Sequence, residues 1–267
     1  MELIGVSGLP EIGPGDDLAD LIDERTDLER IDAAERSLPD PSDRSDGFGD
    51  VLCVASTVVS KAEDRFADLE DFPAGPRARE IADRLAGITG EEKDARFAQA
   101  VLEEGTELLM EAPFLLTETR FGHVGVNAGI DRSNTGGADL LLLPKRPSES
   151  AARLHEALSV PVVITDTCGR PFRHGQCGVA IGWAGLPASR DWRGERDRDG
   201  RELGVSVQNV IDELAAAANL VAGEGSGGTP AVVVRDFEFG EMGGSDAQFR
   251  SVESDFVRQA LRGWSHE

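Results

Sequence analysis

The chain has 267 residues and carries 50 Asp and Glu against 27 Lys and Arg, a formal charge of −23. A field of that sign repels nucleic acid and anionic lipid, so functions that need a polyanionic macromolecular partner are excluded. The apolar fraction of 40% supports a real core, and the length suits one large domain or two small ones.

The basic residues are lopsided. Only Lys61, Lys93 and Lys145 are lysines, and the rest are arginines. Abundant carboxylates with few lysines fit a high-salt cytoplasm, where screening weakens their mutual repulsion. The three cysteines, Cys53, Cys168 and Cys177, form no C-x-x-C pair and no zinc spacing, so reduced thiols are expected. The first residues, MELIGVSGLPEIGPGDD, lack a basic and apolar leader pattern, and no apolar run reaches the length of a membrane span. A cytoplasmic location is the expectation.

In chain order, Glu2 to Val6 reads as a short strand, followed by a Gly/Pro turn and a helix from about Asp17 to Arg25. Ser37 to Gly49, rich in Asp, Ser and Pro, reads as an acidic loop or insertion. DVLCVAST is an apolar run of strand length that leads into VVSKAEDR, which places Ser56, Thr57 and Lys61 just after a buried strand. Pro76 to Leu85 and Ala95 to Leu109 have helical spacing. Phe114 to Thr119 and His123 to Asn127 read as two strands joined at Phe121-Gly122.

After the LPKRP break, Ser148 to Leu158 is predicted as a helix capped by Ser148, with Glu149 in its first turn. VPVVIT is a β-branched strand ending at Asp166, and CGVAIGWAG is a second strand. Val205 to Val221 reads as a helix stopped by Gly223, AVVVRD as a further buried strand, and Asp246 to Trp264 as an amphipathic closing helix. These elements predict an α+β or mixed α/β fold with one or two sheets. Neither a G-x-G-x-x-G opening a helix after a strand nor a G-x-x-x-x-G-K-[ST] motif occurs.

Three loop carboxylates stand out: Asp131 in NAGIDRSN, Asp166 in ITDTCGR and Glu224 in GEGSGGT. Taken singly, each reads as a turn former or a solvated charge. In combination they could hold a hard divalent cation together with phosphate oxygens. GEGSGGT follows a helix C-terminus, where the dipole favours cations. Its glycines can still turn N–H groups inward as an anion nest, or simply stop the helix. Lys61, retained where lysine is nearly absent, suits a phosphate oxygen or a surface turn. Arg170, Arg173 and His174 lie in a stretch from Thr167 to Arg190 that contains no Asp or Glu, which favours recognition of an anionic ligand over structural pairing. His123 and His155 have no partner spacing. Cys53 and Cys177 read as small core residues, and no histidine pairs with Cys168.

Several motifs together resemble one family. GLPEI, GDVLCVASTVVSKAE, FGHVGVNAGIDRSN, the LLLP run, VITDTCGRPFRHG, VAIGWAG, DRDGREL, DELAAAANLVAGEG and PAVVVR occur in order over nearly the whole chain. They resemble the coenzyme F420-0:gamma-glutamyl ligases. The resemblance implies an α+β fold of mixed sheets with flanking helices, built as an interlocked homodimer. It implies one catalytic unit over residues 1–267, or two subdomains within it. The implied activity is a GTP-dependent ligation of L-glutamate, through its amine, to the carboxylate of the deazaflavin precursor F420-0, then addition of a gamma-linked glutamate.

Carried over by residue, the resemblance implies that Leu9, Pro10, Glu11, Ile12, Ser56, Thr57 and Lys61 line the GTP site and that Asn134 touches the nucleotide. The loop of Ala222, Gly223, Glu224, Gly225, Ser226, Gly227, Gly228 and Thr229 would wrap it. Asp131 and Asp166 would hold one Mg²⁺ or Mn²⁺, Thr167 and Glu224 a second, with K⁺ as a monovalent cofactor. Asp131, Asp166 and Arg170 are the expected catalytic residues, and beside the resemblance Arg170 and Arg173 are expected to bind either the coenzyme's carboxylate and phosphodiester or the incoming glutamate. Asp199 stands in DRDGREL where relatives often carry an aromatic residue, and Cys168 occupies a variable position. Two other readings of the same framework are a metal-dependent phosphotransferase or hydrolase and a non-catalytic nucleotide-binding module.

Overall fold

The computed structural model describes residues 1–28, 48–238 and 246–263. Most of the acidic stretch expected as a loop, through residue 47, lies outside them. Phe48 and Gly49 belong instead to a strand, β2 (Phe48–Ala55). The chain divides into two compact units. The first comprises Met1–Ala62, Arg146–Thr167 and Gly175–Gln248; the second comprises Glu63–Lys145, Cys168–His174 and Phe249–Glu267.

The first unit is built on a five-stranded sheet. β1 (Glu2–Gly5) and β12 (Ala231–Glu238) are antiparallel, β12 and β2 are antiparallel, β2 and β8 (Val162–Gly169) are parallel, and β9 (Gln176–Ala184) completes the order β1-β12-β2-β8-β9. VLCVA, VVIT and AVVV are nearly continuous apolar runs because the sheet is buried on both faces. One set, Val51, Cys53, Val163, Ala180, Val232 and Val234, packs under helix α6 (Val210–Ala222) through Val210, Ile211, Leu214, Ala215 and Ala218. The alternating set, Leu52, Val54, Val162, Ile164 and Val233, is equally buried. Helix α5 (Pro147–Leu158) packs against β9, and α1 (Leu18–Asp23), capped by the Asp17 carboxylate, packs against α5. A short ribbon of β10 (Ser189–Asp191) and β11 (Val207–Asn209) precedes α6.

Asp50 is a fully buried acid in this sheet, and the Arg235 guanidinium on β12 reaches both of its oxygens, at 3.3 and 3.2 Å. Arg235 also donates to the Asp27 carbonyl. This pairing satisfies a charge that the sheet interior would otherwise not tolerate.

In the second unit, α3 (Pro76–Thr89) packs on α4 (Ala95–Glu104), which packs on β4 (Gly105–Met110) of a three-stranded antiparallel sheet completed by β5 (Leu116–Thr119) and β6 (Val124–Val126). The short pair β3 (Phe66–Ala67) and β7 (Leu140–Leu141) is a separate ribbon. Ile81, Leu85, Val101, Leu115 and Leu140 belong to one core cluster. Helix α7 (Phe256–Arg262), capped by Asp255, contacts β4 and is tied down by Arg258 to Glu118 and Arg262 to Glu107.

Several expectations are corrected. Four sheets are present among the described residues, not one or two. The helix expected through Leu109 ends at Glu104, and the chain then turns into β4. Residues 207–209 are β11, so the helix expected from Val205 begins at Val210. Ser148 is not the cap of α5: Arg146 holds that position and Pro147 opens the helix, as proline's fixed φ allows. β8 continues past Asp166 to Gly169. The closing helix is a 3-10 turn at Val252–Ser254 followed by α7, and Trp264 lies outside the described residues. Among the described residues no helix is long and apolar enough to cross a membrane.

His123 is buried, with its ring stacked on Phe121 and tilted against Phe249. Burial pushes its pKa down to about 4. The unfolded chain therefore takes up the proton first as pH falls below the ordinary histidine range, so stability is lost progressively between about pH 6.5 and pH 4. Urea denaturation at pH 7 and pH 5 should show a loss in wild type of roughly 1–2 kcal/mol from this group. His123→Phe should remove that part of the pH dependence, measured as a smaller difference between the two midpoints.

Candidate functional site

The first unit's strand order sends four loops out of one end of the sheet. β1, β2 and β8 run in the same direction and β12 runs opposite, so the ends of the first three and the start of β12 coincide. The Val6 amide donates to the Ala231 carbonyl and the Ala55 amide to the Pro230 carbonyl, both at 2.8 Å. Ala55 stands opposite Thr165 in the parallel ladder. Carboxyl ends of parallel strands are where open α/β sheets place ligands, because the loops there diverge and leave room.

Each loop brings side chains named from the sequence. After β1 come Leu9, Pro10, Glu11 and Ile12; Ile12 is buried, while the Glu11 side chain is 77% exposed. After β2 the chain enters α2 (Ser56–Ala62) directly, with Ser56 buried and Thr57 partly so. Lys61 on this helix is buried, at 2% exposure, and its ammonium forms an ion pair with Glu11. The Gly15 amide donates to the Ala62 carbonyl at 2.9 Å and fastens the two loops together.

Within β8, just past its last pair with β2, Asp166 and Thr167 are half-buried, and Asp166 Oδ1 accepts the Thr167 amide at 2.8 Å. The fourth loop begins at the end of α6. Gly223 closes the helix with φ +70, a conformation glycine adopts without penalty, and donates to the Asn219 carbonyl at 2.9 Å. The Glu224 carboxylate accepts from Asn219 Nδ2 at 2.9 Å, and residues 223–228 are exposed.

Gly5 is a site residue that the sequence reading passed over. A Cβ at this position would lie 2.7 Å from Thr229 Cγ2 and 3.1 Å from Val221 Cγ1, so only glycine lets the loop seat on β1. No sequence signal marks it, because the contact joins residues more than 200 positions apart.

Asp131 and Asn134 belong to the second unit. The Asp131 backbone bridges to Leu141 with two 2.9 Å hydrogen bonds, and its Oδ1 accepts from the Ser133 amide and hydroxyl at 2.8 Å. Asn134 holds a positive φ of 53 in the same loop, a conformation asparagine tolerates better than most residues. Arg170, Arg173 and His174 are exposed in the turn between β8 and β9, which is also counted with the second unit.

Asp131, Asp166, Thr167 and Glu224 supply only oxygen donors, the chemistry of a hard divalent cation rather than zinc. Among the described residues no group of three or more His, Cys, Asp or Glu forms a metal cage made of protein alone. Magnesium-type ions need no such cage, since one or two carboxylates suffice when phosphate oxygens and water complete the shell. Asp166 and Thr167, adjacent on β8, fit that requirement.

Covalent catalysis by Cys53 does not fit. Its thiol is buried in β2 and burial pushes its pKa up to about 12, so it remains a protonated core group at neutral pH. A soluble thiol reagent at pH 7.5 should modify no more than two thiols per native chain. The third should react only after denaturation, as read by mass spectrometry.

The chain is similar to known proteins over nearly its whole length. The family model described as F420-0:Gamma-glutamyl ligase matches residues 8–236. The chain is similar to a protein of Halorubrum lacusprofundi, 70% identical over all of both chains, and to one of Halobacterium salinarum, 66% identical over 100% of this chain and 99% of that one. A protein of Archaeoglobus fulgidus is 46% identical over 98% of each. All three are named coenzyme F420:L-glutamate ligase. A match of this extent across haloarchaeal and more distant relatives makes the chain a ligase, a member of the F420-0:gamma-glutamyl ligase family.

Proposed function

We propose that the chain joins L-glutamate to coenzyme F420-0 at the expense of GTP, then adds a gamma-linked glutamate to the product. The observation that carries this reading is the convergence of the Leu9–Ile12 loop, the Lys61 ammonium, the Asp166–Thr167 segment of β8 and the glycine loop at one end of a single sheet. A free carboxylate is a poor acyl donor because oxide is a poor leaving group. Attack of the F420-0 carboxylate oxygen on the γ-phosphorus releases GDP and gives an acyl phosphate. The glutamate amine then adds to the acyl carbon, phosphate leaves, and the amine's proton passes to solvent.

The residues divide that work by chemistry. Lys61 supplies a desolvated positive charge for phosphate oxygens, and burial strengthens that attraction relative to water. Backbone amides of Gly225, Gly227 and Gly228 offer donors without side chains in the way. Asp166 and Thr167, with Asp131 and Glu224, would hold Mg²⁺ or Mn²⁺, which when bound neutralises charge on the phosphoryl oxygens. Arg170 and Arg173 would meet an anionic substrate. Potassium as the monovalent ion, a cytoplasmic setting and a homodimer complete the proposal; sedimentation of the purified chain tests the last.

Incubation with GTP, L-glutamate and F420-0 in high potassium with either divalent ion, followed by mass analysis, should show glutamate-sized increments and one GDP per increment. Asp166→Asn should abolish them. GDP release without glutamate consumption would instead identify a hydrolase or phosphotransferase, and bound nucleotide with no product a binding module.

Lys61→Met separates binding from folding. The Glu11 carboxylate left behind is exposed, so no unpaired charge stays buried and denaturation should change by less than about 2 kcal/mol. The Michaelis constant for GTP should rise at least about tenfold, the equivalent of about 1.4 kcal/mol.

A further inference from the structure

The turn between β8 and β9 carries a group that the proposed chemistry has not used. β8 continues three residues beyond Asp166 to Gly169, and the chain then runs Arg170-Pro171-Phe172-Arg173-His174-Gly175 before β9 begins at Gln176. All six of these residues are exposed, and Phe172 is exposed completely, at 104%. Its φ of 65 lies in the left-handed region that a bulky aromatic rarely adopts. Among the described residues Arg170, Phe172, Arg173 and His174 form no ion pair, side-chain hydrogen bond or ring contact. Many arginines elsewhere are paired with acids, including Arg65, Arg77, Arg84, Arg96, Arg193, Arg235, Arg258 and Arg262.

This tip therefore combines an unstacked aromatic ring with two unpaired guanidiniums, in a stretch from Thr167 to Arg190 free of acids on a chain of charge −23. Its sequence neighbourhood removes the local repulsion an anion would meet elsewhere on the surface. Its ligand should then have a flat ring and a nearby negative charge. GTP has both, but the nucleotide is already assigned to the loops of the sheet end. Glutamate has charge without a ring. Of the three proposed substrates, the deazaflavin coenzyme alone offers a tricyclic ring together with a phosphodiester and a carboxylate.

We propose that residues 170–174 are the coenzyme-recognition finger, with Phe172 stacking on the deazaflavin ring and Arg170 and Arg173 neutralising the phosphodiester and carboxylate. This rests on the ligase reading above. The division of labour is physical: stacking needs contact and depends little on salt, whereas guanidinium attraction is screened as ionic strength rises. Phe172 is a specificity residue and takes no part in bond making.

Steady-state kinetics on the full chain test it, varying F420-0, glutamate and GTP in turn at two potassium chloride concentrations. Phe172→Ala should raise the Michaelis constant for F420-0 by about tenfold or more at both salts and leave those for GTP and glutamate within twofold. Phe172→Trp should restore it. Arg170→Gln combined with Arg173→Gln should raise the same constant most at the lower salt.

Fluorescence titration with the deazaflavin chromophore lacking the phosphodiester arm adds a second readout. Phe172→Ala should weaken that binding, and the double arginine variant should leave it unchanged. An unaltered constant for F420-0 in Phe172→Ala, in an otherwise active enzyme, overturns the finger while the ligase reading stands. Wild-type protein that consumes no F420-0 overturns the ligase reading itself. A shift in sedimentation without a change in that constant would reassign Phe172 to a contact between copies and likewise overturn the proposal.

Discussion

Parallel pairing of β2 with β8, from Leu52 opposite Val162 to Ala55 opposite Thr165, is the constraint on which the first unit's site depends. A parallel pair cannot be closed by a hairpin, so the chain must leave the sheet and return before making the second strand. It uses more than a hundred residues to do so, and the largest segment of the second unit, Glu63–Lys145, lies in that excursion. The same pairing aligns Ser56 and Asp166 at one end of the sheet. Insertion of β12 between β1 and β2 then brings the glycine loop to that end, because β12 runs the other way and begins where its neighbours stop.

The strands of this sheet were legible because burial on both faces removes alternation and leaves apolar runs. VLCVA, VVIT and AVVV each read as strands, and each is one. β4 was not legible. Leu102, Leu108 and Leu109 continue a helical spacing from α4, and the change to strand comes from a tertiary contact at Gly105. A Cβ there would fall 2.2 Å from Thr117 Cγ2, so β5 approaches the chain where only glycine fits. β11 was hidden for another reason: three residues are too few to show a period, and its partner β10 lies across the charged GERDRDGREL segment.

Of the candidate site, the residue types were legible but their meeting was not. Lysine scarcity drew attention to Lys61, whereas its burial and its pairing with Glu11 depend on a loop fifty positions earlier. The resemblance named these positions together, and the sheet supplies a physical reason for those on the first unit. Gly5 escaped because its role consists of the absence of a side chain. Phe172 does carry a sequence signal, an aromatic between two arginines in RPFRH, within a stretch whose charge is its more conspicuous feature.

Charge is handled differently at the two levels of this protein. Its surface tolerates a large acidic excess, but the interior admits acids only with partners, as Asp50 has in Arg235. Exposed pairs such as Arg96 with Asp94 contribute little by comparison, since solvent screens them.

The placement of β12 also bears on how the protein comes into being at the ribosome. β1 and β2 are made early but do not touch each other in the ladder; each waits for a strand that ends at Glu238. The five-stranded sheet cannot close during most of translation, and its long-range pairings make slow closure the expected regime. Until then the apolar runs of β1, β2 and β8 are made without the neighbour that completes their sheet, so burial of those runs waits for nearly the last strand of the chain.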